Sequence, residues 1–384
     1  MGMSVETSVD KRPLVLHVIH HLYIGGMENG LVNLINHMPA DRYRHAILCV
    51  EDYSDFRLRI TRPDVEVIGL HRSRIGVWRM RLEMFKLFRR LKPAFIHSRN
   101  MSGLDALLPA LLAGVPHRIH GEHGWDVHDL DGRAFKPALL RRLHAPLVSR
   151  YITVSQDLAR YLGRRVGVAA RRVSQVYNGV DMARFAPLRD RSALPRGFAG
   201  EGTVVIGTVG RAQPVKDQAT LLRAFAQLRA DAPELGAALR LVLVGDGPRL
   251  QPLQALAQEL GIAQQTWFAG ASSEVPRMLA ALDVFVLPSL SEGISNTILE
   301  AMASGLPVLA TAVGGNVELV RAGEEGAFFQ PGDAAGLASL MAAYSRDAAL
   351  RQSHGAAARA GALARYSMPA MVQNYMAVYD GLLR

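Results

Sequence analysis

Two β/α alternations, one after the other, constrain this chain more than any other feature. Residues 14–20 form a short, β-rich apolar run that does not alternate with polar residues. A parallel strand covered on both faces has this pattern. Gly25-Gly26-Met27-Glu28 follows, then Leu31, Leu34 and Ile35 at helical spacing, so the segment reads strand, glycine turn, helix. Further strands are expected at 46–50, 65–69, 95–98, 118–121 and 151–154, with helical segments between most of them. A polar, glycine-bearing stretch interrupts the pattern at 188–202. A second series begins at Thr203, with strands at 204–209, 239–244, 266–269, 284–287 and 307–311. Its helices are expected at 219–230, 249–260, 275–281, 296–304 and 335–343, and residues 369–383 form one more amphipathic helix.

Alternation of this kind builds parallel, doubly wound sheets. The expected fold is α/β, with two Rossmann-like domains at 13–187 and 203–366 and a linker at 188–202. Ligands of such sheets bind beyond the C-terminal ends of the strands. If the two domains face each other, the ligand lies in the cleft between them.

The length of 384 residues is enough for two separate cores. Cys49 is the single cysteine, so no internal disulfide forms, which fits a reducing, cytoplasmic setting. The first thirteen residues carry Glu6 and Asp10 and no apolar centre, so no signal peptide is expected. The longest apolar stretch, 104–115, contains Asp105 and is too short to span a bilayer. Charge is uneven: residues 1–190 hold 29 Lys and Arg against 18 Asp and Glu, net +11, while 191–384 are net −1. Two halves so different suggest different partners.

The sharpest motif runs from Ser289 to Val308. A strand ends near Pro288, a loop carries Glu292-Gly293-Ile294, and Ser295 or Asn296 can cap the helix that follows. Free amides and the positive helix end make an anion site there. Glu292 and Glu300 lie eight residues apart, one before the helix and one a turn inside it, each suited to accept from sugar hydroxyls. A helix-start glutamate is also favoured by the dipole alone, and for Glu300 the two readings are balanced.

Gly210-Arg211 closes the first strand of the second series, and Lys216 follows across a loop holding Pro214. A guanidinium fork and an ammonium at one strand end suit a diphosphate better than a solvated basic pair. Gly25-Gly26 permits close approach to a phosphate, yet neither a dinucleotide GxGxxG nor a P-loop is present. His120-Gly121-Glu122-His123-Gly124-Trp125-Asp126-Val127-His128 lacks HExxH spacing and fits sugar contact better than a metal site. A structural role is the default for any single histidine here, above all His120. Residues 71–92 are crowded with Arg and Lys. On a helix, Arg79, Glu83, Lys86 and Arg90 would share one face, opposite Phe85, Phe88 and Leu91. An ordinary solvated surface helix is the plainer reading, and an anionic membrane surface is the functional one. No nucleic-acid module accompanies the charge, so no nucleic-acid partner is expected.

With these motifs in place, the chain resembles the retaining glycosyltransferases of family 4, which have the GT-B fold. The resemblance spans nearly the whole chain and rests on Glu292-x7-Glu300, Gly210-Arg211 with Lys216, Val244-Gly245-Asp246-Gly247-Pro248, Phe268-Ala269-Gly270, Asn178-Gly179-Val180-Asp181 and Gly25-Gly26-Met27-Glu28. Within the family it looks most like sugar transferases associated with bacterial exopolysaccharide export.

The resemblance implies a metal-independent, retaining transfer from a UDP- or GDP-linked sugar to a saccharide or lipid-linked acceptor, with no further cofactor. Arg211 and Lys216 would hold the diphosphate. Glu300 would bind the ribose. Glu292 and the amides of Ile294, Ser295 and Asn296 would hold the sugar, with Thr297 near a phosphate. His123 would contact the sugar at its anomeric centre, and Gly26 beside Gly25 would let donor and acceptor meet. The last helix, 367–384, would cross back onto the first domain. The chain departs from many relatives in carrying Ile294-Ser295 where they have an aromatic residue and Gly or Pro. Two other readings are a nucleotide-sugar epimerase of the same fold and a non-catalytic nucleotide-sugar binder. The excess charge of the first domain suits the inner face of an anionic membrane, peripherally attached.

Overall fold

The computed structural model describes residues 10–125, 129 and 132–384. Seven parallel strands form the first sheet: β1 (Leu14–Ile19), β2 (Arg44–Cys49), β3 (Glu66–Gly69), β4 (Phe95–Arg99), β5 (His117–Glu122), β6 (Arg150–Thr153) and β7 (Val173–Gln175). Their order is β3-β2-β1-β4-β5-β6-β7. Helices α1 (Gly26–His37), α2 (Val77–Leu91), α3 (Leu107–Leu112) and α4 (Phe135–His144) cover it. The second sheet holds β8 (Val204–Val209), β9 (Leu239–Val244), β10 (Thr266–Gly270), β11 (Val284–Leu287), β12 (Val308–Thr311) and β13 (Gly326–Phe329), ordered β10-β9-β8-β11-β12-β13. Around it lie α5 (Gln218–Asp231), α6 (Asn296–Ala303) and α7 (Ala348–Arg365), and α8 (Met368–Leu383) ends the chain.

Every residue of β1 and of β8 is buried, which explains why neither run alternates. Leu16 and Val18 pack with Met80 and Met84 of α2 on one face. Val15 packs with Met371, Tyr375 and Tyr379 of α8 on the other. The chain therefore returns from the second domain to complete the first core. Val180 bridges to Ser367, Tyr379 Oη meets His97 Nδ1 at 2.8 Å, and Arg42 donates to Asp380 at 2.8 Å. In both sheets the connections reverse direction beside the central strand, β1 or β8. Such switch points open a crevice at the strand C-termini.

Several details differ from the sequence expectation, among them the helix α7, which was not foreseen. The buried stripe of α2 is Met80, Met84, Leu87 and Phe88, whereas Phe85 and Leu91 are only half-buried. Methionine packs as well as an aromatic and is harder to notice. The edge strands β7 and β13 are three and four residues long and only partly buried, too short to stand out from the loops around them. Residues 188–202 contain no helix or strand, yet they lie against the second domain. Leu194 is in its core, and Arg191 pairs with Asp283 at 3.1 Å. Among the described residues, no helix is long and apolar enough to cross a membrane.

Candidate active site

A cavity of about 670 Å³ opens between the two domains. That is the size class of small-molecule sites. Gly25, Gly26 and His123 line it from the first domain. Gly210, Arg211, Lys216, Glu292, Ile294, Ser295, Asn296, Thr297 and Glu300 line it from the second. The residues expected to hold the donor therefore meet in one space, whereas His120, Glu122, Arg79, Lys86 and Arg90 do not line it.

Glu292 sits in the loop between β11 and α6. Ser295 caps α6, its Oγ accepting from the Ile298 amide at 3.3 Å. The remaining amides of the first turn face the cavity end of the helix, where the dipole favours an anion. Gly293 brings this loop onto the first domain: a Cβ there would lie 2.5 Å from Gly124 Cα and 3.0 Å from the His123 carbonyl oxygen. Only glycine allows the Glu292 loop and the His123 loop to touch. Asn296 adds a polar tie, donating to the Gly26 carbonyl at 3.0 Å and accepting from Asn178 at 2.7 Å. The side chain of Asn296 thus joins the domains, leaving its backbone amide at the helix end.

Lys216 Nζ donates to Glu292 Oε1 at 2.5 Å, and Ser289 Oγ donates to the same oxygen at 2.6 Å. Glu292 is buried, so this pairing satisfies a charge that would otherwise be costly. Arg211, at the end of β8, is exposed to the cavity. Arg211 and Lys216 thus stand on one wall as the loop between them predicted. The ion pair of Lys216 with Glu292 was not foreseen, because spacing in sequence does not reveal it.

His123 is held by its backbone: its amide donates to Asn100 Oδ1 at 2.8 Å. Asn100 has the left-handed backbone that asparagine tolerates (φ 51°). Burial, with the Arg99 cation nearby, pulls the His123 imidazole down to about 3, so the ring is neutral in the physiological range. His120 behaves differently. Its Nδ1 meets Ser98 Oγ at 2.8 Å, and its Nε2 lies 3.4 Å from Glu122, which Arg141 holds at 2.6 Å. This buried set lies behind the strand and is structural. Asp126 and His128 lie outside the described residues.

Residues 24–184 match the family described as Glycosyltransferase Family 4, and residues 194–361 match that described as Glycosyl transferases group 1. Together they take in both domains. The chain is a glycosyltransferase, its first domain of the family 4 kind and its second of the group 1 kind. It is 29% identical to a "Putative glycosyltransferase EpsF" of Bacillus subtilis, over 77% of this chain and 78% of that one. It is 26% identical, over 80% and 81%, to an Escherichia coli protein named UDP-Gal:alpha-D-GlcNAc-diphosphoundecaprenol alpha-1,3-galactosyltransferase. The fold is shared with the Anabaena HepE protein crystallised with UDP-glucose, at a TM-score of 0.81 and 22% identity, covering 96% of this chain and all of that one. The GT-B architecture agrees with this shared fold, and a Streptomyces coelicolor protein named "Exopolysaccharide phosphotransferase SCO2592" is 29% identical over 72% of this chain and 28% of that one.

Within this glycosyltransferase site, Glu300 faces the cavity from α6. Burial pushes its carboxyl up to about 7, opposed by the cations of Arg184 and Arg59. Those two arginines line the cavity and were missed in the sequence. Arg184 lies three residues beyond the Asn178-Gly179-Val180-Asp181 motif, which was a usable signal. Arg59 sits in a short 3-10 turn, where its Nη1 donates to Asn29 Oδ1 at 2.7 Å; nothing in its local sequence marks it. Ser272 and Ser273 extend the same wall beyond β10.

Proposed function

We propose that this glycosyltransferase moves a sugar from a UDP- or GDP-linked donor to a lipid-linked or saccharide acceptor, with retention of configuration and without a metal. The convergence of Arg211, Lys216, Glu292 and Glu300 on one cavity at the start of α6 carries this reading. As the bond between the anomeric carbon and the donor β-phosphate oxygen breaks, negative charge grows on that phosphate. On this reading Arg211, Lys216 and the amides at the start of α6 stabilise it, which is electrostatic catalysis. The acceptor oxygen then bonds to the anomeric carbon on the face being vacated. Its proton passes to the departing phosphate oxygen.

Glu292 holds Lys216 in place and accepts from donor-sugar hydroxyls; it is not a covalent nucleophile. Glu300 accepts from the ribose hydroxyls, flanked by Arg59 and Arg184. His123, neutral across the working pH range, donates to or accepts from the sugar near the reacting carbon. The activity in the name of the Escherichia coli relative supports an undecaprenyl-diphosphate type of acceptor, in envelope or exopolysaccharide synthesis. On this reading the protein works on the cytoplasmic side of the membrane, with its basic first domain towards the lipid.

The reading is tested by a thermal-shift panel of UDP- and GDP-sugars, then product analysis with a lipid-linked acceptor. A new glycosidic product supports it. A new nucleotide sugar formed from donor alone marks an epimerase, and nucleotide binding without turnover marks a non-catalytic binder.

A further inference from the structure

Helices α2, α3 and α4 follow β3, β4 and β5, and each leads to a strand further along the sheet in the same direction. Right-handed crossovers therefore place all three on one face of the first domain. α2 and α3 bury one apolar stripe, α4 buries Ala138 and Arg141, and each leaves apolar side chains outside. On α2, Trp78 is 81% exposed, and Leu82, one turn on, is half exposed. On α3, Leu108 and Leu112 repeat the spacing, with Leu112 65% exposed. On α4, Phe135 and Leu143 are 72% and 66% exposed, two turns apart. Surface helices of a soluble domain ordinarily put polar residues at such positions. A run of exposed apolar stripes across neighbouring helices marks an interaction surface.

The charges around these stripes identify the partner. Arg79, Arg89, Arg90, Lys136 and Arg142 are exposed on α2 and α4. Among the described residues, Asp105 is paired with Arg81 at 2.6 Å and Glu83 with Lys86 at 3.0 Å. Arg81 also lies over the Trp78 ring, its carbon 5.3 Å from the centroid, which supports the indole in its outward position. A second copy of this chain docked here would set cations against cations. An anionic bilayer satisfies both features, taking the apolar side chains among its acyl chains and the cations at its headgroups.

We infer that the α2–α3–α4 face seats the protein on an anionic lipid bilayer by shallow insertion of Trp78, Leu82, Leu112, Phe135 and Leu143. Trp78 and Phe135 open their helices, at the strand C-terminal edge of the sheet, the edge on which the cleft opens. Seated this way, the cleft mouth lies close to the lipid surface. This inference rests on the proposed lipid-linked acceptor for its purpose, but not for its test.

The test is sedimentation of the full chain with vesicles of phosphatidylcholine, alone or mixed equally with phosphatidylglycerol, at low and high salt. The expected result is binding to the mixed vesicles only, weakened by salt. Trp78→Glu with Leu143→Glu should weaken it at least tenfold, and Arg79→Gln, Arg89→Gln and Arg90→Gln together should remove its salt dependence. Tryptophan quenching by brominated lipid, lost in the mild Trp78→Phe, serves if the double variant unfolds. No binding at low salt overturns the inference, as does equal binding to neutral vesicles or unchanged binding by the apolar variant. A concentration-dependent dimer abolished by that variant also overturns it, making the face a self-association surface. Donor hydrolysis in lipid-free solution is measured alongside. Hydrolysis without vesicle binding refutes this inference alone, and vesicle binding without hydrolysis refutes the proposed chemistry alone.

Discussion

Glu300 is where the residue scale speaks most directly. Its carboxyl titrates near 7 in the folded protein and near 4.5 when exposed to water, so the folded state holds the proton more tightly. Stability from this group is complete below about pH 4.5 and is lost as pH rises through 7. Thermal unfolding of the free protein should therefore fall between pH 5 and 8 by more than in Glu300→Gln. A donor that uses the carboxylate should bind more tightly across the same interval, which calorimetry at several pH values will read. Lys216→Ala removes a cation from the proposed leaving-group site and strands buried Glu292. Turnover should drop by about 10²–10³, the loss typical of one such electrostatic donor. Glu292→Gln should lower turnover less than Lys216→Ala, with the fold intact by circular dichroism. The candidate residues were legible in sequence because phosphate and hydroxyl chemistry demands particular side chains at strand ends. Arg59 was not, because only the fold brings its turn beside α6.

At the scale of elements, the turn from β11 into α6 does the most. Ser295→Ala should cost about 1 kcal/mol of stability, the ordinary value of an N-cap, readable as a shifted denaturant midpoint. Gly293→Ala acts otherwise. Its new methyl meets the Gly124 backbone, so the two loops must part. Donor affinity should fall severalfold in titration, with little change in the second domain's own stability. Strands β1 and β8 were readable because complete burial writes an unbroken apolar run. β7 and β13 were not, since a half-buried edge of three or four residues resembles loop. The phase of α2 was misjudged for a related reason. Its exposed face is also partly apolar, so Trp78, Leu82 and Phe85 compete with Met80, Met84 and Leu87 for the role of core stripe.

For the whole molecule, two domains joined near 180 and again at Ser367 enclose one cavity, with α8 fastening the end of the chain to the first core. Asp380→Asn weakens the pairing of Asp380 with Arg42 and Tyr43 at the far end of α8. It should lower the unfolding temperature modestly while leaving donor binding in place, since neither partner reaches the cavity. The two-domain plan was visible in the sequence as a repeat of alternation, and the charge split as a difference in surroundings. How the domains close was not visible, because Asn296, Gly26, Gly124 and Gly293 are far apart in sequence and nothing in their separate motifs says which of them touch. Same-face transfer assisted by Arg211 and Lys216 is the step on which the proposed chemistry turns. Proton NMR of slow donor hydrolysis tests it most directly, using whichever α-linked nucleotide sugar gives the largest thermal shift. The α-anomer of the free sugar should appear first, and Lys216→Ala should abolish its release. First appearance of the β-anomer, or a sugar trapped covalently on Glu292, would contradict it.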